Sequence, residues 1–161
     1  KEKKISVRQG INGKLNYLQI SGYAEMLSGI VDFYDPRHLE RIECDLKQHG
    51  GTKDIIEIES CKLDSLIAKH NFSAIDYCSI DVEGAELNII KSIDFSKVNI
   101  YCFSIENNYE DILISQHMVK NGYTHIGRLA GDDIYIKKSI LPKELYLKWL
   151  LYQFKKRKNL I

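Results

Sequence analysis

Residues 76–87 read Asp76-Tyr77-Cys78-Ser79-Ile80-Asp81-Val82-Glu83-Gly84-Ala85-Glu86-Leu87, and this stretch decides the fold. An apolar run meets two carboxylates and a glycine, then opens directly into helical spacing, with Ala85, Ile89, Ile90 and Ile93 on one face. A strand that passes straight into a helix is the repeating unit of a parallel α/β sheet. Such sheets bind ligands at the carboxyl ends of their strands, where helix N-termini and loop side chains converge. Asp81 and Glu83 at that edge repel each other and lose solvation, which points to a use for them there. Glu86 reads differently: an acid in the first helical turn satisfies free backbone N–H groups and complements the helix dipole, worth roughly 0.5–2 kcal/mol.

The same alternation continues on both sides. Residues 54–59 read as a strand, and residues 63–70 as a helix burying Leu63, Leu66 and Ile67, with Asn71 as its stop. Residues 74–80 read as a buried strand, and residues 98–105 as an apolar strand that runs into Glu106-Asn107-Asn108. A helix is expected over residues 109–120, capped by Asn107 or Asn108 and ended by Gly122. Residues 123–129 and 134–137 read as strands joined at Ala130-Gly131-Asp132. Strand and helix in this order predict an α/β fold with a mostly parallel sheet and an antiparallel hairpin closing one edge.

Upstream, Asn12-Gly13 lies between the strand-like runs 5–11 and 14–20. That pair tolerates positive φ and predicts a hairpin; it fits better than a phosphate loop built on Gly10 and Gly13, which would need a strand before it and a helix after it. Residues 37–48 carry Leu39, Ile42 and Leu46 at helical spacing after Pro36, and Gly50-Gly51 ends them. The whole stretch 21–52 reads as an insertion or mobile connection. At the other end, residues 142–161 form a basic amphipathic helix candidate with Leu145, Trp149 and Tyr152 on one side and Lys155-Lys156-Arg157-Lys158 near its end. It reads either as a terminal helix packed on the domain or as a weak contact with an anionic membrane surface or a partner. The expected division is 1–138 for the domain and 139–161 for this helix.

Composition narrows the function. At 161 residues there is room for one core, and a net charge of +1 gives no field that would favour nucleic acid. No run reaches the ~18 apolar residues of a membrane span. Cys44, Cys61, Cys78 and Cys102 form no Cys-x-x-Cys pair, so the expectation is a reduced, cytoplasmic protein without a zinc site. The five histidines show no metal-ligand spacing and read as surface or capping residues; Tyr109 and Tyr123 read as packing residues.

Two neighbouring strands ending in acids would bring Asp81, Glu83 and Glu106 around one crevice, where they could orient a hydroxyl, take its proton or hold a divalent ion. The element Asp81-Val82-Glu83-Gly84-Ala85-Glu86 after its apolar strand resembles the signature of the FkbM family of S-adenosylmethionine-dependent methyltransferases. Leu63-Asp64-Ser65-Leu66, Phe103-Ser104-Ile105-Glu106, Gly122-Tyr123 and Asp133-Ile134-Tyr135 follow in that family's order, so the resemblance spans roughly residues 50–138.

The resemblance implies a Rossmann-like class I methyltransferase sheet and methyl transfer to a hydroxyl of a sugar or natural-product-like small molecule. It implies S-adenosyl-L-methionine as cofactor, with Asp81 and Glu83 catalytic and Asp81 also at the cofactor. Glu83, Glu106 and Asn107 would lie at the acceptor. The opening strand, glycine-rich turn and helix of such domains are not found ahead of the first hairpin and are expected upstream of Lys1. Two other classes stay open: a metal-dependent glycosyltransferase using Asp81 and Glu83, and a non-catalytic module that binds a partner.

Overall fold

The computed structural model describes residues 6–7, 13–144 and 147. Two four-stranded sheets carry the fold. The first holds β1 (Ser6–Val7), β2 (Gly13–Ser21), β3 (Gly29–Ile30) and β4 (Thr52–Cys61) in the order β1-β4-β2-β3. The second holds β5 (Ala74–Ile80), β6 (Asn99–Glu106), β7 (Tyr123–Leu129) and β8 (Asp132–Lys137) in the order β5-β6-β8-β7. The helices are α1 (Pro36–His49), α2 (Leu63–Lys69), α3 (Glu86–Ser92) and α4 (Ile112–Lys120). Among the described residues, none of the helices is long and apolar enough to cross a membrane.

The fold is α/β, but its sheets are mixed rather than mostly parallel. Parallel pairing joins β1 to β4 and β5 to β6; the four other pairings are antiparallel. The closing hairpin is there, β7 and β8 meeting around Ala130 and Gly131. The hairpin expected at Asn12-Gly13 is not. β4 lies between the first two strands, pairing with β2 along its whole length from Gly13↔Ser60 to Ser21↔Thr52, while β1 runs parallel to the far end of β4. Nine paired positions across the sheet outweigh what one short local turn offers. Asn12 itself lies outside the described residues.

The stretch expected to be an insertion is core. Ala24, Leu27 and Ile42 are buried against Leu18 and Ile20, with Val31, Tyr34 and Leu46 packed around them. α1 forms because Asp35 caps it, accepting the Arg37 N–H at 2.8 Å, Pro36 opens it, and Gly50 at φ +73 ends it. Its Ile42 and Leu46 cover the first sheet, while Leu39 faces outward.

The second core is larger. Ile90, Ile100, Phe103, Ile105 and Met118 are fully buried between the second sheet and helices α2, α3 and α4. Each contributes about 1.5–3 kcal/mol of burial. β5, expected to be a buried strand, is not: it has β6 on one side and no partner on the other among the described residues, and Tyr77 is 58% exposed. A third cluster, Leu15, Ile30, Ile58 and Ala85 with Val82, joins the first sheet to the turn between β5 and α3. Of the C-terminal helix expected over residues 142–161, all but 142–144 and 147 lies outside the described residues, as does its basic cluster.

Candidate functional site

Asp81, Glu83 and Glu106 meet, as the strand ends predict. β5 and β6 run parallel with Ile80 opposite Ile105, so Asp81, just after β5, and Glu106, the last residue of β6, emerge at one edge. One carboxylate oxygen from each of the three lies within 4.8 Å of the others. Burial, then the charge of Asp81, raises the Glu83 carboxyl to about 7. Burial, then Glu83 and Asp81, raises Glu106 to about 8. The cluster therefore holds protons near neutral pH. The same three oxygens could take a divalent cation, with water filling its remaining positions.

The turn that carries Glu83 is tightly specified. Glu83 has φ +56 and Gly84 φ +114, two successive left-handed positions. The Glu86 carboxylate locks them, accepting the Val82 N–H at 3.0 Å and the Gly84 N–H at 3.1 Å. Glu86 thus bonds the turn ahead of α3 rather than the helix's own first N–H groups, and α3 has no side-chain cap. A non-glycine residue in the left-handed region costs of order 1–3 kcal/mol and persists where its surroundings over-determine it.

Two cavities flank the carboxylates. One, of about 380 Å³, is lined by Tyr34, Arg37, His38, Glu83, Glu106 and Tyr109 among others. The second, of about 720 Å³, reaches between the sheets past Leu27, Ile30, Arg41, Ile58, Asp81 and Val82. Glu83, Glu106 and Asn108 line both, so the cluster stands at their junction.

Asn107 sits on the wall of the smaller cavity, with its amide already engaged. It donates to the Asp133 carboxylate at 2.7 Å and accepts the Asp111 N–H at 2.7 Å. Neither Asn107 nor Asn108 caps α4. Asp111 does, accepting the Leu113 N–H at 2.9 Å, so the helix begins three residues later than expected. Asn108 donates to Glu106 instead.

Sequence reading missed His38. It is 2% exposed, with Nδ1 3.4 Å from Glu83 Oε2 and Nε2 3.3 Å from the Leu27 carbonyl, rather than on the surface. The Tyr34 ring stacks on it at 4.9 Å, and the Tyr34 hydroxyl donates to the same carbonyl at 2.8 Å. The available signal was helical phase: His38 and Ile42 are four residues apart on α1, and both are buried. Arg37, one residue away, is clamped by Asp35 and stacked over Tyr109 at 4.2 Å, tying α1 to the loop after β6.

Acids from adjacent parallel strand ends, set between two small-molecule-sized cavities, define an α/β enzyme that acts on a small ligand. Residues 3–127 match the methyltransferase FkbM domain, and the chain belongs to that family of S-adenosylmethionine-dependent methyltransferases. No curated protein and no solved structure matches it.

Proposed function

We propose that this methyltransferase transfers its methyl group to a hydroxyl of a sugar or natural-product-like small molecule, with Asp81 and Glu83 at the reacting oxygen. The observation that carries this reading is the meeting of Asp81, Glu83 and Glu106 where the two cavities join. An alcohol is a poor nucleophile until a neighbouring base takes or orients its proton, and positioned carboxylates supply that function. With the donor bound to supply the activated methyl group, a carboxylate of the cluster would take the proton of the acceptor hydroxyl.

The residues present suit most of the donor. S-adenosylmethionine, when bound, supplies a methyl group already activated on a sulfonium. The larger cavity offers that cation Asp81 and Glu106, and offers a nucleoside the apolar side chains of Leu27, Ile30, Ile58 and Val82. Arg41 is the cation on its wall for the donor's carboxylate. The Val82 and Gly84 N–H groups before α3 are not available for that carboxylate, because Glu86 occupies them. Asp81 faces the larger cavity, and Glu106 faces both, so the donor belongs in the larger and the acceptor in the smaller. Asn107 serves the acceptor side by holding the loop that carries Asn108 and Tyr109. The pairing of β5 with β6 through α3, followed by the β7–β8 hairpin, supports a Rossmann-like class I arrangement for this half of the fold.

Titration of the complete protein with S-adenosylhomocysteine tests the donor site, with binding in the micromolar range expected. Release of S-adenosylhomocysteine over a panel of sugar and polyketide alcohols then tests the acceptor class. Asp81→Asn should lower turnover about 10²–10⁴-fold and weaken binding of the cationic S-adenosylmethionine more than binding of the uncharged S-adenosylhomocysteine. Absence of binding at millimolar ligand would sink the reading.

A further inference from the structure

We propose that His38 and Glu83 work as one proton-holding pair, His38 being the positioning residue that keeps a single shared proton on the hidden side of Glu83 and leaves its other carboxylate oxygen facing the acceptor. The inference rests on the methyltransferase reading for its catalytic meaning, but its geometry stands apart from it.

The argument is one of donors and acceptors. The Leu27 carbonyl can only accept, and it lies 3.3 Å from His38 Nε2, so that nitrogen carries its proton. A neutral imidazole then has a bare lone pair on Nδ1. That lone pair would lie 3.4 Å from Glu83 Oε2, two acceptors at ion-pair distance, in a site where the imidazole is 2% and the carboxylate 14% exposed. Repulsion between unpaired acceptors without water to separate them is costly. One proton between Nδ1 and Oε2 removes it, whether it rests on the ring or on the acid.

The surroundings hold that arrangement in place. Tyr34 stacks against the ring and binds the same Leu27 carbonyl, which fixes both the ring plane and the acceptor it bonds. Glu83 is fixed from the other side by its left-handed backbone and by the hydrogen bonds of the turn to Glu86. The other ionisable groups that act on Glu83 are Asp81 at the end of β5, Glu86 on α3, Glu106 at the end of β6, and Arg41 on α1; Arg37 and Tyr109 line the same cavity. Three acids against one nearby arginine favour a bound proton at this point. When the acceptor hydroxyl gives up its proton, the other oxygen of Glu83 receives it, and the pair passes from one proton to two. The pair releases the second proton to solvent after product leaves, so the balance closes without another reactant.

Nuclear magnetic resonance of the full chain labelled with ¹⁵N-histidine reads this directly, with His38→Gln used to assign the signals. In the wild type, Nε2 should stay protonated from pH 5 to 9. Nδ1 should resonate between the bare and fully protonated limits. In Glu83→Gln, whose amide can donate to Nδ1, the Nδ1 signal should shift to the bare limit. A wild-type Nδ1 at the bare limit across the whole range, or a bare Nε2, overturns the pair, and this holds even if the variant fails to fold. S-adenosylhomocysteine affinity measured on the same samples separates the two ideas. A shared proton without donor binding rejects the methyltransferase reading alone. Donor binding with a bare Nδ1 rejects only the pair.

Discussion

A β-carbon added at Gly84 would stand 2.5 Å from the carbonyl oxygen of Phe33. That contact is backbone against backbone, and it joins the turn that carries Glu83 to the segment that leads into α1. Gly84 also has φ +114, where a side chain is strained whatever the space. Gly84→Ala should therefore lower stability by roughly 2–4 kcal/mol and pull Glu83 away from His38. Gly122→Ala is the control, since Gly122 has φ +87 but nothing within 4 Å of an added β-carbon; strain alone should cost it about 1 kcal/mol. Urea unfolding of both variants checks the difference, and equal losses would show that the Phe33 contact gives way easily.

The acids of the site should make the protein less stable as pH rises through neutrality. Glu83 is raised to about 7 and Glu106 to about 8 from the ordinary 4.5, burial being the first cause of each. Unfolded, both release their protons near 4.5; folded, they keep them well beyond. The folded state therefore binds more protons than the unfolded one between those limits. Their contribution is fully present below about pH 4.5 and is lost as pH climbs through 7 and 8. Glu106→Gln cannot ionise, so its urea midpoint should match the wild type at pH 5 and exceed it at pH 8.5. Parallel curves for the two proteins would contradict the raised value.

Most of the second sheet was legible because its signals are local. The run into Asp81, the apolar stripe of α3 and the Ala130-Gly131 turn each sit within a few residues. The three carboxylates followed from one rule about where strands end. What could not be read was non-local. Nothing near Asn12-Gly13 reveals that β4, some forty residues on, takes the place beside β2. The core role of residues 21–52 was hidden for the same reason: Leu27 and Ile42 look sparse until β2 supplies Leu18 and Ile20 opposite them. His38 was overlooked because spacing rules look for pairs of histidines, whereas its partner is a glutamate 45 positions away. The resemblance put Asn107 at the acceptor, but its bond to the buried Asp133 was not legible, because Asp133 arrives only with the closing hairpin.

Asn107→Ala should be among the more damaging polar substitutions. The Asn107 amide is the short donor to the Asp133 carboxylate, at 2.7 Å, and His125 Nε2 lies 3.2 Å from the other oxygen. Both Asn107 and Asp133 are buried. Removing the amide leaves a buried carboxylate short of a partner and the Asp111 N–H without its acceptor, for about 1–3 kcal/mol. In a double-mutant cycle with Asp133→Asn, the two losses should couple by more than about 0.5 kcal/mol. Simple additivity would mean that the pair contributes nothing of its own.

Arg37 should matter for the motion of the site more than for the stability of the fold. Its guanidinium is largely exposed, donates to both Asp35 oxygens at 2.8 Å and lies 4.2 Å over the Tyr109 ring. An exposed ion pair and a stacked surface cation contribute little to stability, so Arg37→Ala should shift the urea midpoint little. The loop after β6 loses its tie to α1, however. The Glu110 and Asp111 amides, which bond to Asn107 within that loop, should then exchange with solvent faster while the amides of β6 keep their protection. Arg37→Lys should not restore the slow exchange, because an ammonium cannot fork onto Asp35 and stack on Tyr109 at once. Unchanged exchange at Glu110 and Asp111 in Arg37→Ala would mean that Asn107 and Arg128 hold the loop without it.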